Sequence, residues 1–273
     1  RDRLRSRGLG DVYKRQETPV HPSESVKGEI EFDHVSFAYP EAGENVLTDI
    51  SFKAKKGQTI AVIGSTGSGK STLINLIPRY YDVTKGSVKV DGVDVRDMTQ
   101  KELRDKLGYV PQKGVLFSGT IDSNIRYGKP EITDAQVKEA AEVAQATEFI
   151  DTKPEKYESP VSQGGTNVSG GQKQRLSIAR AIAKDPEIFI FDDSFSALDF
   201  KTDSQLRKAL KEYTKDATTV IVAQRISTIL GADQIIVLDD GHMAGIGTHK
   251  ELMANCEVYQ QIARSQLSEE ELA

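Results

Sequence analysis

The sequence predicts a mixed α/β fold with a parallel sheet, an antiparallel β subdomain and a helical subdomain. Three short apolar runs predict buried strands of the parallel sheet, at 59–63, 188–191 and 219–223. Strands of the antiparallel subdomain are predicted at 29–39, where apolar and polar residues alternate, and at 50–54 and 87–90. The helical subdomain is predicted at about 113–182, because two segments there carry helical signals.

Those two segments differ in how they begin. The first lies at 133–150, where Thr133 can cap the helix. Its apolar face comprises Val137, Ala140, Ala141 and Ala144. The second lies at 172–183 and follows a stretch of small residues. Further along the chain we expect a helix at 205–213, a hairpin at 235–244 and a C-terminal helix at 259–272.

The composition of the 273 residues suits one large α/β domain, since 37 % of them are hydrophobic. We expect this domain at 29–266 and an acidic tail at 267–273, which is either a solvated surface or a subunit contact. No run of 18 apolar residues occurs, so no membrane span is expected in this sequence. The single cysteine, Cys256, suits a reducing cytoplasm. A net charge of −5 gives no reason to expect a nucleic-acid partner.

The first 28 residues are predicted to be a linker or a cloning remnant. Residues 1–16 carry six Lys/Arg and two Asp, a net charge of +4, and show no helical or strand period. Since the whole chain carries −5, the remainder carries −9. A signal peptide is not expected, because no apolar segment follows the positive charges. A sequence-assembly artefact would also explain this segment, as would a role in contacting anionic lipid.

The segment 64–71 fits the phosphate-loop pattern G-x-x-x-x-G-K-[ST]. A predicted strand precedes it and apolar residues at helical spacing follow it, which is the context that the motif requires. Glycines allow several backbone N–H groups to face one anion, and the helix start adds its dipole. We expect Lys70 to reach the β- and γ-phosphates and Ser71 to ligate Mg²⁺. The expected ATP-binding residues of this P-loop NTPase core are Gly64, Ser65, Thr66, Gly67, Ser68, Gly69, Lys70, Ser71 and Thr72.

Two carboxylates, Asp192 and Asp193, follow the second strand of the predicted parallel sheet. The carboxyl ends of parallel strands lie at the edge where open α/β sheets bind ligands. Asp192 is therefore placed to hold Mg²⁺ as a Walker-B aspartate does. Asp-Asp-Ser is also good turn chemistry, so a solvated turn is the alternative. The phosphate loop upstream favours the metal site.

Together these motifs resemble the nucleotide-binding domain of ABC transporters, over roughly residues 28–266. Further segments match the adenine-stacking loop at 37–40, the Q-loop at 109–112, the signature motif at 168–172, the D-loop at 196–199 and the switch loop at 222–225. The resemblance implies an ABC ATPase fold with ATP and Mg²⁺ as cofactors. It adds Tyr39, Gln112 and Asp192 to the ATP-binding residues and makes Ser71, Gln112 and Asp192 the Mg²⁺ ligands.

The resemblance also assigns residues to the contact between two such domains. The signature residues Ser169, Gly170, Gly171 and Gln172 are expected to face the nucleotide of a second ABC domain, and Ser196 and Asp199 belong to the D-loop. From physical chemistry alone, the signature stretch is either an anion site at a helix start or an ordinary loop with a serine cap.

Within the family, the segments 116–125 and 247–252 are similar to those of exporters. In exporters, the segment after the Q-loop receives a coupling helix of the transmembrane domain. Leu116 and Phe117 fit either the lining of such a groove or the core of the helical subdomain, and the sequence leaves both open. The resemblance implies an exporter transmembrane domain as partner and a place at the cytoplasmic face of the cell membrane.

Two residues depart from the pattern of active ABC domains, which have Glu after the Walker-B aspartate and His in the switch loop. This chain has Asp193 and Gln224 at these catalytic positions. Asp is shorter than Glu by one methylene, about 1.5 Å, and Gln carries neither a titrating proton nor a positive charge. Both changes weaken hydrolysis and leave binding nearly intact. The chain therefore resembles the degenerate-site half of a heterodimeric ABC exporter, whose partner would have the Glu and the His.

Two competing classes of protein share some of these motifs. A soluble ABC ATPase acting on nucleic acid or protein complexes usually has tandem domains or coiled-coil insertions and lacks the exporter-like segment 117–120. A phosphotransferase with a phosphate loop is disfavoured by the stretch at 169–172 and by the Q-loop. We therefore expect an energy-coupling ATPase domain of an exporter, weak in hydrolysis when alone.

Overall fold

The structure is a computed structural model of the chain. It describes residues 18–23, 26–40, 42–129 and 131–267. The basic segment 1–16 and the acidic residues 269–271 lie outside the described residues. Among the helices in the described ranges, none combines the length and apolar character needed to cross a bilayer.

The strands of the described residues are, in chain order, β1 (Ile30–Phe37), β2 (Leu47–Ala54), β3 (Thr59–Gly64), β4 (Lys85–Val90), β5 (Val93–Asp94), β6 (Leu107–Val110), β7 (Gly119–Thr120), β8 (Pro160–Val161), β9 (Ile188–Asp192), β10 (Thr218–Val222), β11 (Gln234–Asp239) and β12 (His242–Gly247). The helices are α1 (Lys70–Leu76), α2 (Gln100–Asp105), α3 (Ile121–Ile125), α4 (Asp134–Val143), α5 (Thr147–Asp151), α6 (Gly170–Ala183), α7 (Phe200–Tyr213), α8 (Ile226–Ile229), α9 (His249–Asn255) and α10 (Glu257–Gln266). Short 3₁₀ turns occur at Lys156–Glu158 and Gln163–Gly165.

A six-stranded sheet in the order β12-β11-β3-β10-β9-β6 forms the centre of the fold. Its strands pair in parallel except β12, which is antiparallel to β11. The three strands predicted for a parallel sheet are confirmed as β3, β9 and β10. Because β10 lies between the other two, the loop after Gly64 and the carboxylates after Phe191 meet at the carboxyl edge of the sheet.

The sequence does not predict β6 as a strand, although it pairs in parallel with β9 from Leu107↔Ile188 to Val110↔Phe191. β6 is four residues long and contains Gly108, which weakens its strand signal. The glycine is required by packing, since a Cβ there would lie 2.7 Å from the ring of Pro186. The contact with Pro186 explains why this position is glycine, and no local sequence pattern predicts that contact.

The predicted antiparallel subdomain is confirmed as a four-stranded sheet in the order β2-β1-β4-β5. Four residues of β1, namely Ile30, Phe32, Val35 and Phe37, are buried together with residues of β2, β4 and α1, and the β1–β2 register shifts between Phe32 and Val35. The rings of Phe32 and Phe52 stack across the β1–β2 pair, with their centroids 4.6 Å apart. This layer packs on one side of α1 and so supports the phosphate loop that precedes that helix.

The prediction of one continuous helix at 133–150 is wrong, because the structure divides this segment into α4 and α5. Thr133 caps α4 as predicted, in a reciprocal pair of hydrogen bonds with Gln136. The helix ends before Gln145, whose φ of 55° is left-handed. Arg175 of α6 donates to the carbonyl oxygen of Gln145 at 2.7 Å. The break in the helix at Gln145 therefore coincides with a long-range hydrogen bond from Arg175. The residues around the break have good helix propensity, so the sequence does not indicate it.

The last part of the chain places α10 against the sheet. The hairpin of β11 and β12 is confirmed, and β11 also pairs in parallel with β3. α7 begins earlier than predicted, at Phe200, because Asp199 caps it. α10 buries Tyr259 and Ala263 in a cluster with Ile226 of α8, so the end of α10 lies beside the switch loop.

Candidate nucleotide-binding site

The phosphate loop connects β3 to α1, and close packing requires two of its glycines. A Cβ at Gly64 would lie 2.1 Å from the carbonyl oxygen of Leu238. A Cβ at Gly69 would lie 2.7 Å from the side chain of Leu47, and the φ of Gly69 is +98°. The loop therefore adopts a path that residues with side chains at these two positions would block.

Lys70 and Ser71 start α1 and bring a cation and a hydroxyl to the loop. Lys70 Nζ donates to the carbonyl oxygens of Gly64 at 2.9 Å and Ser65 at 2.7 Å. Burial lowers the pKa of Lys70, and two nearby carboxylates oppose this effect. Ser71 Oγ donates to Asp192 Oδ1 at 3.1 Å. The hydroxyl and the carboxylate expected to hold Mg²⁺ are thus adjacent.

Two further observations indicate that the loop can accommodate a phosphate group and a hard cation such as Mg²⁺. Ser68 Oγ is buried and has no hydrogen-bond partner among the described residues. A Cβ at Gly67 would meet nothing within 4 Å, so there is space over the loop. Oxygen ligands from Ser71 and Asp192 are the type that Mg²⁺ prefers, with phosphate oxygens completing its shell.

Asp192 is half-buried, and burial raises the pKa of its carboxyl group. The hydrogen bond from Ser71 opposes the rise, and the charge of Asp193 adds to it. Tyr109 O–H donates to Asn75 Oδ1 at 3.0 Å and lies 3.5 Å from Asp192 Oδ2. Burial also raises the pKa of Tyr109, so the phenol stays protonated as a donor. A carboxylate in such surroundings gains strongly from a bound divalent cation.

Asp193 is the point where the Q-loop and the switch loop meet. It is 9 % exposed, with a φ of 46°, and its backbone N–H donates to Val222 O at 2.9 Å. Gln112 Nε2 donates to Asp193 Oδ2 at 3.1 Å, and Gln224 Nε2 donates to the same oxygen at 2.8 Å. Two amide donors from two predicted motifs therefore converge on one carboxylate oxygen.

A cleft of about 520 Å³ lies over these groups, a volume typical of small-molecule sites. Its lining includes most of the predicted ATP-binding residues, namely 64–67, 69–72, Gln112 and Asp192, together with Asp193 and Gln224. Val46 from the segment before β2 and Ile262, Ser265 and Gln266 from α10 also line it.

Tyr39 lies beside α1, and Val46 rather than Tyr39 lines the cleft. The Tyr39 hydroxyl is 2.9 Å from Thr72 Oγ1, in the helix that follows the loop. Its ring packs edge-on against Phe37 at 4.9 Å and Tyr81 at 5.1 Å between centroids. Tyr39 is thus tied to the phosphate-loop helix, and its contact with adenine stays a prediction.

The signature residues are separate from this cleft. Ser169 and Gln172 form a reciprocal capping box at the start of α6, with N–H to side-chain oxygen distances of 3.2 Å and 3.1 Å. A Cβ at Gly170 would meet nothing within 4 Å, and one at Gly171 would lie 3.5 Å from Ala197 O. The signature therefore lies beside the D-loop, with an open face at Gly170.

The two D-loop residues make local contacts. Ser196 Oγ donates to the carbonyl oxygen of Asp193 at 3.0 Å. Asp199 caps α7, where its carboxylate accepts from the backbone N–H and the hydroxyl of Thr202 at 3.0 Å and 2.7 Å. These hydrogen bonds, the backbone one foremost, lower the pKa of Asp199. The D-loop is thereby fixed to Asp193 at one end and to α7 at the other.

Gln266 is a site residue that the sequence does not reveal. Its Nε2 donates to the carbonyl oxygen of Gln224 at 2.8 Å, and its Oε1 accepts from the backbone N–H of Ile226 at 2.8 Å. A glutamine near the end of a predicted helix belongs to no motif, so no sequence signal could have found it.

The structure separates the two residues whose role the sequence left open. Leu116 is 1 % exposed and belongs to the core of the helical subdomain, whereas Phe117 is 41 % exposed. The ring of Phe117 stacks on Tyr127 with centroids 4.1 Å apart. The guanidinium of Arg180 lies 5.3 Å and 5.5 Å from the two ring centroids. Burial lowers the pKa of Arg180 to about 10.

A parallel sheet with a phosphate loop after β3 and a carboxylate at the end of β9 defines a P-loop nucleoside triphosphatase domain. The family model described as ABC transporter matches residues 47–196, which is more than half of the chain. The chain therefore belongs to the ABC transporter family, whose ATP-binding domains are ATPases that use ATP with Mg²⁺. The predicted ABC ATPase fold is confirmed.

Known proteins resemble nearly the whole chain. It is 47 % identical over 253 residues to an ABC transporter ATP-binding protein of Mycobacterium bovis, covering 92 % of this chain and 43 % of that protein. It is 46 % identical over 243 residues to a Staphylococcus aureus protein named for multidrug export as an ATP-binding/permease protein, covering 89 % and 42 %. A bacterial Atm1-family ABC exporter with ATP bound superposes with a TM-score of 0.87 at 37 % identity, covering 93 % and 44 %. The chain thus spans less than half the length of these relatives.

Proposed function

We propose that this chain is the ATP-binding domain of an ABC exporter subunit. In this proposal, ATP drives its pairing with a second ABC domain, and the pairing powers a transmembrane domain at the cytoplasmic face of the membrane. The support is the likeness to a relative named for multidrug export and to a solved exporter. The alternative of a soluble ABC ATPase has less support, since one relative is named for multidrug export and the solved structure is that of an ABC exporter.

We further propose that the ATP site of this chain is degenerate, and the geometry at Asp193 is the observation that carries this proposal. A general base at this position must orient a water molecule beside the γ-phosphate. The aspartate is about 1.5 Å shorter than a glutamate, and a misplacement of about 1 Å can cost on the order of 10²-fold in rate. Hydrogen bonds from Gln112 and Gln224 moreover occupy its Oδ2, which holds the carboxylate toward the two loops.

Gln224 adds to the same effect. Its amide can donate to the γ-phosphate or to Asp193, but it cannot carry the positive charge of a protonated histidine. Stabilisation of charge that develops in the transition state is among the largest contributions to catalysis. A neutral amide at the switch position therefore favours holding the nucleotide over hydrolysing it.

The groups expected to hold the phosphates and Mg²⁺, by contrast, lie together in the cleft. Lys70, Ser71 and Asp192 surround the loop as a binding site requires, and Mg²⁺ there would neutralise phosphate charge. The signature residues lie outside the cleft, with Gly170 open to the surroundings. In the proposal they complete the competent site of a partner domain that has Glu and His at the two departed positions.

The transmembrane partner is supported by the exposed aromatic pair of Phe117 and Tyr127. Exposed rings that stack on each other beside a half-buried arginine form a preformed apolar platform. Such a platform suits contact with a helix of another protein domain. We propose that it receives the coupling helix of the transmembrane domain, while Leu116 supports it from the core.

Steady-state ATP turnover of the isolated chain tests the degenerate site. We expect little turnover together with firm binding of MgATP, because binding groups are present and the base is misplaced. The double variant Asp193→Glu with Gln224→His should raise turnover, by on the order of 10²-fold if geometry is the main defect. A coupled phosphate-release assay measures the rates.

A matched control keeps the shape of the side chain at residue 193 and removes only the charge of its carboxylate. Asp193→Asn should leave the low turnover nearly unchanged, since little of it depends on this carboxylate as a base. Brisk turnover of the unmodified chain that Asp193→Asn abolishes would overturn the degenerate assignment while leaving the family assignment in place.

A further inference from the structure

The end of α10 is joined to the switch loop by two hydrogen bonds of the Gln266 side chain. The amide of Gln266 donates to Gln224 O and accepts from Ile226 N–H, both at 2.8 Å. The two bonds bracket Arg225, so the backbone between residues 224 and 226 is held on both sides of its turn. A glutamine is the residue that can do this, since its amide is both donor and acceptor.

The bonds satisfy groups that the local structure leaves open. Arg225 is the N-cap residue of α8 and makes no side-chain cap hydrogen bond. The first N–H groups of a helix have no intrahelical partner. Gln266 supplies an acceptor for one of them, at Ile226, whose side chain is fully buried.

The helix that presents Gln266 is anchored. Tyr259 and Ala263, seven and three residues before Gln266, are fully buried in the same cluster as Ile226. The Tyr259 hydroxyl is 2.8 Å from His249 Nδ1. The buried side chains of Tyr259 and Ala263 hold α10 against the core. The exposed residue Gln266 at the end of this helix is placed by that packing.

Further contacts connect the backbone of the switch loop to the carboxylate of Asp193. Gln266 donates to the backbone carbonyl oxygen of Gln224, and the side chain of Gln224 donates to Asp193 Oδ2, both at 2.8 Å. Gln112 donates to the same carboxylate oxygen, and both Gln112 and Gln266 line the cleft. Gln224 therefore connects α10 to Asp193, so a displacement of α10 would be expected to alter the contact between Gln224 and Asp193.

We propose that Gln266 is a positioning residue, which sets the place of the Gln224 side chain at Asp193 and so at the nucleotide. The inference deepens the proposed function and rests on it only for the role of Gln224 beside the nucleotide. The contact itself exists with or without hydrolysis, so it can be tested independently of turnover.

The test uses the full chain labelled with ¹⁵N and compares Gln266→Leu with Gln266→Glu. Leucine removes both hydrogen bonds at nearly the same size, whereas glutamate keeps the acceptor for Ile226 N–H and loses the donor for Gln224 O. We expect hydrogen exchange of the Ile226 amide to become about three- to tenfold faster in Gln266→Leu and to stay near the wild-type rate in Gln266→Glu. The side-chain NH₂ resonance of Gln224 should shift in both variants.

Gln261→Leu is the matched control, since Gln261 is an exposed glutamine of the same helix. It should leave both signals unchanged, and Asp193→Asn should identify the Gln224 resonance by shifting it. Unchanged Ile226 exchange in Gln266→Leu, or equal effects of Gln266→Leu and Gln261→Leu, would overturn the inference. Brisk ATP turnover would overturn the degenerate site alone and leave this result standing.

Discussion

Burial disfavours the ionised form of the Asp192 carboxyl in the folded chain. Burial raises its pKa, and the charge of Asp193 contributes to the rise. Between the ordinary pKa of Asp and the raised value, the folded state binds more protons than the unfolded state. The free energy of unfolding therefore falls as the pH rises through this window.

We expect Asp192→Asn to raise the thermal midpoint of the nucleotide-free chain at neutral pH, because asparagine accepts from Ser71 without a buried charge. The gain should shrink as the pH falls from the raised pKa of Asp192 toward the ordinary pKa of Asp, because the folded wild-type carboxyl becomes protonated over this window. The variant should also lose the Mg²⁺-dependent part of stabilisation by ATP, which reaches about 2.7 kcal/mol for a ligand at a hundredfold excess over Kd. Thermal unfolding at several pH values, with and without MgATP, measures both effects.

The control is Asp216→Asn, an exposed aspartate in a turn, which should produce neither effect. A thermal midpoint of Asp192→Asn below that of the wild type at neutral pH would contradict the argument from burial. So would full retention of the Mg²⁺-dependent stabilisation.

The start of α6 offers a change that separates folding from partner contact. A Cβ at Gly170 would meet nothing within 4 Å, and its φ lies outside the left-handed region that favours glycine. Alanine in a helix is more favourable than glycine by roughly 0.5–1 kcal/mol. The methyl group would, however, stand on the open face that is proposed to approach the partner's nucleotide.

We therefore expect Gly170→Ala to keep or slightly raise the stability of this chain. In a mixture with a complementary ABC domain, turnover should fall on the order of 10²-fold, as when a transition-state contact is displaced. Thermal unfolding and phosphate release measure the two quantities. Normal turnover of the mixture with a folded Gly170→Ala chain would contradict the proposed role of the signature.

Elements with their own local signals were predictable from the sequence, and elements set by distant contacts were not. The apolar strands β3, β9 and β10 and the cap at Thr133 follow from composition and spacing. The break at Gln145 coincides with a hydrogen bond from Arg175, which no local pattern encodes.

The same division holds at the site. The positions of the phosphate loop and Asp192 were predictable, because each follows an apolar strand of the parallel sheet and the carboxyl ends of such strands share one edge. The convergence of Gln112 and Gln224 on Asp193 depends on the order of strands in the sheet, which brings their loops to one edge. Gln266 depends on the packing of α10, and only the structure places it.

The cleft and the signature segment, to which we assign functions, lie apart in the molecule. The cleft over Lys70 brings together Ser71, Asp192, Asp193 and Gln224. The signature at the start of α6 lies outside that cleft. A domain with these two surfaces suits a pair in which each nucleotide is bound by the loop of one member and the signature of the other.

The most direct test identifies the nucleotide that the Lys70 site retains. The chain is mixed with a complementary ABC domain and MgATP, the complex is isolated after many turnovers, and its nucleotide is analysed by chromatography. We expect about one intact ATP per chain, lost in Lys70→Ala and converted to ADP in Asp193→Glu with Gln224→His. Recovery of only ADP from the wild-type complex, or no nucleotide that depends on Lys70, would contradict the account.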